Sequence, residues 1–211
     1  MFTDKIPENT KGLLAAISTS LPENAYLAGG TALALHINHR KSFDLDFYVP
    51  KEFSTEILLQ RLTKNIPDFK LISTSWQTLI GASKDTEISF FYYKYPLIDK
   101  LSDYKDIKVS SIADIACMKI EAIVGRGLKR DFFDLYTICQ LDGWNLKKVI
   151  DLNRKKYNRD DSDMPHILKS LTYFTDAEEM PERAEIVDAE WLIVKKYFSE
   201  ETEKLVSELV G

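Results

Sequence analysis

The chain has 211 residues, 45% of them hydrophobic, and sets 33 acidic against 28 basic side chains for a formal charge of -5. That apolar content supplies one sizeable core, or a core with a smaller helical extension, and the acidic balance argues against extensive duplex DNA binding, which favours strongly basic proteins. No apolar stretch nears the ~18 residues of a membrane span, and the charged start "MFTDKIPENT" lacks the apolar run of a signal peptide, so the expected setting is the cytoplasm, with no membrane partner.

Residues 10–21 place Leu13, Leu14, Ala16 and Ile17 at helical spacing, and Pro22 ends the run. "AYLAGG" reads as a short strand running into a glycine turn. "TALALHINH" reads as a helix starting near Thr31. "SFDLDFYV" is a strand closed by Pro50, in which Phe43, Leu45 and Phe47 alternate with Asp44 and Asp46. A strand has period two, so both carboxylates leave one face. "STEILLQRLTKNI" is an amphipathic helix opened by Ser54 or Thr55. "FKLISTSWQTLIGAS" and "TEISFFYYKYP" read as two strands joined near "SKD". "SSIADIACMKIEAIVGRG" is a helix with Ser111 as cap, Asp114 at the capping-box position and Gly125 or Gly127 as stop. "KRDFFDLYTICQL" is another, and from about residue 145 the chain is mostly helical and rich in charge. The order predicts an α+β protein: a mixed α/β core over residues 1–105 and a helical domain over 106–211.

The residues that could carry chemistry each have an ordinary reading beside a functional one. Gly29, Gly30 and Thr31 can hold a phosphate, because glycines admit a ligand close to the backbone and a helix N-terminus directs N–H groups at it. They are equally the composition of a plain strand-to-helix turn. Asp44 and Asp46, side by side, suit divalent metal ions bridging phosphate oxygens, or a solvated strand face. Glu87, sharing a face with Ser89 and Phe91, is the candidate third carboxylate, or a surface glutamate at a strand end. Lys119 sits near the apolar Ile112, Ile115, Ala116, Ala122 and Ile123, so it either snorkels to water or serves a site. Asp131 and Asp134 share a helix face. They favour the helix dipole, or organise Lys119, Arg126 or Arg130, or accept a proton from an attacking hydroxyl. His36, His39 and His166 show no metal-ligand spacing. Cys117 and Cys139 lie in apolar runs far apart and read as buried free thiols. "NLKKVIDLNRKKYNR" sets Lys147, Lys148, Arg154, Lys155, Lys156 and Arg159 against Asp151 alone. It could grip an RNA end with Tyr157 stacking, or form a solvated helix face.

"GGTALALHINHRKSFDLDFYV", "ADIACMKIEAIVGRGLKRDFFDLY" and "HILKSLTYFTDAEEMPE" together resemble the AbiEii/AbiGii-type nucleotidyltransferase toxins, a branch of the DNA polymerase β-like nucleotidyltransferase superfamily. The likeness spans roughly residues 10–200. It implies a polymerase β-like core with a mixed sheet, then a helical domain completing an active-site cleft. It implies that Gly29, Gly30, Thr31, Lys119 and Arg126 meet an NTP, that Asp44 and Asp46 hold Mg²⁺ or Mn²⁺, with a third carboxylate either missing or supplied by Glu87, and that Asp131 is the catalytic aspartate of the last motif. Members act as toxins of toxin–antitoxin or phage-defence systems, and some transfer nucleotides to tRNA. An NTP, an RNA acceptor and a cognate antitoxin are therefore the expected partners. Threonine stands at Thr31 where serine is usual, Arg130 where lysine is common, and "EISFF" where the superfamily often has an aspartate. The alternatives are a catalytically inactive nucleotide- or partner-binding module of the same fold, and transfer to a small molecule such as an aminoglycoside.

Overall fold

A computed structural model describes residues 1–180 and 186–210, with no side-chain detail for 209 and 210. Pro181 and Glu182, which end the third resembling segment, lie outside the described residues. The chain divides into two compact units, Met1–Ser111 and Ile112–Gly211, which are described separately.

The first unit is α+β. Its elements are α1 (Glu8–Ile17), β1 (Tyr26–Ala28), α2 (Gly29–Ile37), β2 (Leu45–Val49), α3 (Thr55–Asn65), β3 (Lys70–Ser75), β4 (Thr78–Ser83), β5 (Thr86–Tyr92), β6 (Ser102–Tyr104) and β7 (Ile107–Val109). The strands form a mixed sheet in the order β3-β4-β5-β2-β1-β7-β6. β2 runs antiparallel to β1 and parallel to β5, and β1 runs parallel to β7. Leu45, Phe47 and Val49 of β2 are buried while Asp46 and Tyr48 between them are half-buried, so alternation decides which face carries charge. The apolar face continues into β5, where the Phe90 ring stacks on that of Phe47 at 5.1 Å. Each such buried side chain contributes about 1.5–3 kcal/mol.

Three expectations change. The run "FKLISTSWQTLIGAS" is two strands, β3 and β4, because the chain reverses at Trp76–Gln77 with Gln77 in the left-handed region at φ 54°. The two glycines belong to the first turn of α2 rather than preceding it. Residues 102–109 form the β6–β7 hairpin, turning at Lys105 with φ 52°, and β7 pairs with β1. A boundary at residue 105 would cut that hairpin, and the first unit extends to Ser111.

The second unit contains α4 (Ile112–Gly125), α5 (Lys129–Cys139), α6 (Leu146–Tyr157), α7 (Met164–Leu171), α8 (Thr175–Glu179) and α9 (Asp188–Val210). α4 packs on α5, α6 and α7, and α9 packs on α5 and α7. Phe132 of α5 centres an aromatic cluster, with ring centroids 5.3 Å from Phe174, 5.8 Å from Trp191 and 5.4 Å from Phe198. Cys117 and Cys139 are buried free thiols, and burial pushes both up to about 12, which leaves them protonated and inert. Among the described residues, no helix is long and apolar enough to cross a membrane.

Candidate active site

β1 ends at Ala28, whose cross-strand partner is Asp46, and α2 begins at the next residue. Gly29 takes φ 67°, and a Cβ there would lie 2.4 Å from Asp46 Oδ2. No side chain fits between this turn and that carboxylate. At Gly30 a Cβ would meet Arg40 Nη2 at 2.7 Å and Ser42 Oγ at 3.0 Å. The backbone of this turn thus faces the Asp46 carboxylate at Gly29 and the Arg40 guanidinium at Gly30. The N-cap residue, Ala28, offers no side-chain acceptor to the first N–H groups of α2, and such groups at a helix start favour an anion.

Asp44 lies one residue ahead of β2, and Asp46 within it; both are half-buried. The Thr31 hydroxyl, expected at a phosphate, donates to the Asp44 carbonyl oxygen at 2.5 Å and lies 2.9 Å from Ser42 Oγ. Thr31 is itself buried, so it fixes the approach of the chain to β2. Asp46 is in register with Ser89 of β5. Glu87, two residues before Ser89, shares that face and is exposed. Among the described residues no group of three His, Cys, Asp or Glu side chains is placed to hold a metal ion, so Glu87 does not join Asp44 and Asp46 in such a group.

The donor set fits a magnesium ion. Mg²⁺ takes one or two protein carboxylates and completes its octahedron with water and substrate phosphate, and Asp44 and Asp46 supply hard oxygen ligands near the glycine turn that opens α2.

Arg40 escaped the reading of the sequence. It lies in the loop between α2 and β2, is 8% exposed, and donates from Nη1 to the Lys41 carbonyl at 2.9 Å. The available signal was a charge inside "NHRKS", a short polar stretch, and nothing in such a stretch separates a buried arginine from a solvated one. His36 is turned to the first unit's interior, its Nε2 2.8 Å from the Ser110 carbonyl. Burial lowers its pKa, only partly opposed by that hydrogen bond.

In the second unit, Lys119 reaches across from α4 to α5. Its Nζ lies 2.8 Å from Asp131 Oδ1 and 2.6 Å from Asp134 Oδ2. Arg126 adds Nε at 3.0 Å to Asp131 Oδ2 and Nη2 at 3.3 Å to Oδ1. Lys119 is 5% exposed and both aspartates are fully buried, whereas the Arg126 side chain is 56% exposed. Burial pushes the Asp131 carboxyl up, but Lys119 and Arg126 outweigh it and hold it below the usual range. Two cations and two anions leave the cluster balanced.

In the basic stretch 145–159, Lys147, Lys148 and Lys155 are exposed, while most of the cations are paired with acids of their own unit. Lys156 is buried with Nζ 2.7 Å from the buried Asp114. Arg159 pairs with Glu121 at 2.6 Å, Arg154 pairs with Asp161, and Lys147 pairs with Glu208 at 2.5 Å. Lys148 donates to the Gly143 carbonyl and lies over the Trp144 ring. The acids that neutralise these cations come from other helices and loops, so their pairing cannot be read from the segment itself.

The sequence profile of the AbiEii nucleotidyl transferase toxins, assigned to a type IV toxin–antitoxin system, matches residues 12–95 and 93–206. The chain belongs to this AbiEii family. It is a nucleotidyltransferase. An uncharacterized protein of Aquifex aeolicus strain VF5 is 36% identical over 194 residues, covering 90% of this chain and 92% of that one. Among solved structures, a candidate nucleotidyltransferase from H. pylori aligns with TM-score 0.53 at 20% identity, over 94% of this chain and 96% of that one. JHP933 from Helicobacter pylori aligns with TM-score 0.52 at 20% identity, over 96% of each. These structures share the fold with this AbiEii protein.

Proposed function

We propose that the protein transfers a nucleoside monophosphate from an NTP to a hydroxyl at an RNA end, with Asp44 and Asp46 as ligands of Mg²⁺ or Mn²⁺. The observation that carries this reading is the meeting of Gly29 with Asp46: the start of α2, where Ala28 supplies no side-chain cap, lies against the carboxylate that would hold a divalent ion. Bound there, the metal neutralises phosphate charge and lowers the pKa of a bound hydroxyl. Asp46 sits on β2 beside Gly29, and Asp44 lies one residue ahead of that strand. Thr31 anchors the backbone before them. The N–H groups of the α2 first turn receive phosphate oxygens, and Gly29 and Gly30 let the phosphates approach. The acceptor oxygen forms its bond to the α-phosphorus as the bond to the bridging oxygen of pyrophosphate breaks, and the hydroxyl proton passes to water.

Lys119, Arg126 and Asp131 have a separate place in the proposal. Asp131 holds both cations, and Arg126, the more exposed, is the one suited to phosphate; Lys119 and Asp131 act as its positioning residues. A cognate antitoxin, tRNA as the RNA acceptor and a cytoplasmic setting belong to the same reading.

The test is transfer of label from each α-labelled NTP into total small RNA, with Mg²⁺, beside Asp46→Asn. The intact protein is expected to label RNA, and the variant to lose about a hundredfold or more while melting as the parent does. Equal labelling by a folded Asp46→Asn protein would remove the site.

A further inference from the structure

The face of the sheet that carries Asp46 changes character two residues further along. Tyr48 follows on the same side of β2, about 7 Å on at the usual strand rise. Its partners in register are Tyr26 on β1 and Phe91 on β5. The Tyr48 ring lies 6.1 Å from Tyr26, nearly parallel, and 5.6 Å from Phe91. Tyr93 extends the pairing, its N–H donating to the Val49 carbonyl at 2.8 Å. Its ring meets Tyr48 edge-on at 4.9 Å and Tyr95 at 5.2 Å. The row runs from buried Tyr26, through half-buried Tyr48, Phe91 and Tyr93, to Tyr95 at 39% exposed.

Apart from the buried Tyr26, these rings lie outside the core of the sheet. Core packing uses the opposite face, where Leu45, Phe47, Val49 and Phe90 are buried. An aromatic row that begins beside metal-ligand carboxylates and ends in solvent is poorly explained by packing alone. Aromatic rings next to a phosphate-handling site are what a nucleobase requires, and base stacking on aromatic side chains tolerates any base identity.

The geometry points to Tyr48, Tyr93 and Tyr95 as a stacking platform for a nucleobase attached to the phosphate that Asp44 and Asp46 serve. The assignment rests on the nucleotidyl-transfer reading. The base belongs either to the incoming NTP or to the RNA end that accepts the nucleotide, and direct binding separates the two.

Affinities of each NTP, of inorganic tripolyphosphate and of a five-nucleotide single-stranded oligoribonucleotide would be measured with Mg²⁺. The proteins are the parent, Tyr93→Leu, Tyr95→Leu, Tyr95→Phe and Asp46→Asn. Tyr95 is exposed, so Tyr95→Leu tests the platform even if Tyr93→Leu fails to fold. An NTP that binds roughly tenfold tighter than tripolyphosphate, with the gap lost in the leucine variants and kept in Tyr95→Phe, places the incoming base on the platform. Unchanged NTP affinity with roughly tenfold weaker oligoribonucleotide binding places the acceptor base there. Unchanged affinity for both ligands overturns the platform, and leaves the transfer reading standing if Asp46→Asn still abolishes labelling. A parent that binds the oligoribonucleotide through these tyrosines but neither NTP nor tripolyphosphate keeps the platform and sinks the transfer reading. A parent that binds none of the three overturns both.

Discussion

Gly29 concentrates the argument at the scale of single residues. Its φ of 67° is costly for a residue with a Cβ, about 1–2 kcal/mol, and the added atom would meet Asp46 Oδ2 at 2.4 Å. Gly29→Ala is therefore expected to lower the melting temperature and to displace the carboxylate. Gly29→Asn tells the two effects apart, because asparagine tolerates the left-handed region better but keeps the colliding Cβ. Transfer should be lost in both variants, with the milder thermal shift in Gly29→Asn; normal turnover by either would show that Asp46 does not depend on this contact. His36 supplies a pH dependence. Its folded pKa lies below 6.5, so the unfolded chain binds the extra proton first. Its contribution is fully present above pH 6.5 and is lost as pH falls through the folded value. Denaturant midpoints measured downward from pH 6.5 should fall, and His36→Gln, which can still donate to the Ser110 carbonyl, should flatten that part of the curve. The alternation of Asp46 with buried Leu45 and Phe47 was legible because strand periodicity is local. The burial of Arg40 was not, since it depends on Gly30 lacking a side chain ten residues earlier.

Elements were readable where periodicity was long and uninterrupted. α3, α4 and α5 follow their apolar spacing, and Ser54 caps α3 by accepting from the Ile57 N–H at 3.2 Å. The β3–β4 reversal was missed because "STSWQT" carries no glycine, asparagine or proline, and its turn is made by Gln77. α6 shows the other limit. Its pattern announces a helix, but the partners of its cations lie on α4, on α9 and in the loop after α6. Lys156 and Asp114 make the strongest case, both side chains being fully enclosed. Lys156→Met alone leaves a buried carboxylate without this cation and should cost about 3–5 kcal/mol, whereas Lys156→Met with Asp114→Leu should recover much of that loss. Lys155→Ala, on the exposed side of the same helix, should stay within about 0.5 kcal/mol of the parent. Equal destabilisation by Lys155→Ala and Lys156→Met in urea unfolding would contradict the inward placement of Lys156.

Across the whole molecule, charge decides how RNA would be held. The order of a mixed sheet followed by helices was legible in the succession of periodicities; the use of the charge was not, because it depends on ion pairs between distant segments. A protein of formal charge -5 has no long-range attraction for a polyanion. If the six basic residues of 145–159 each met a phosphate, the logarithm of the binding constant for single-stranded RNA would fall with log salt at a slope of about -4. Most of those residues are instead bound within their own unit. Recognition by stacking on Tyr93 and Tyr95, with phosphate contacts confined to the reacting end, predicts a shallow slope of about -1.5 or less in magnitude. Titration of a short oligoribonucleotide from low to physiological salt reads this directly. A slope near -4 would mean that the ion pairs of α6 open to admit RNA, and Lys156→Met would then weaken RNA binding as well as stability. A shallow slope unaffected by Lys155→Ala would leave the stacked base as the main source of acceptor affinity.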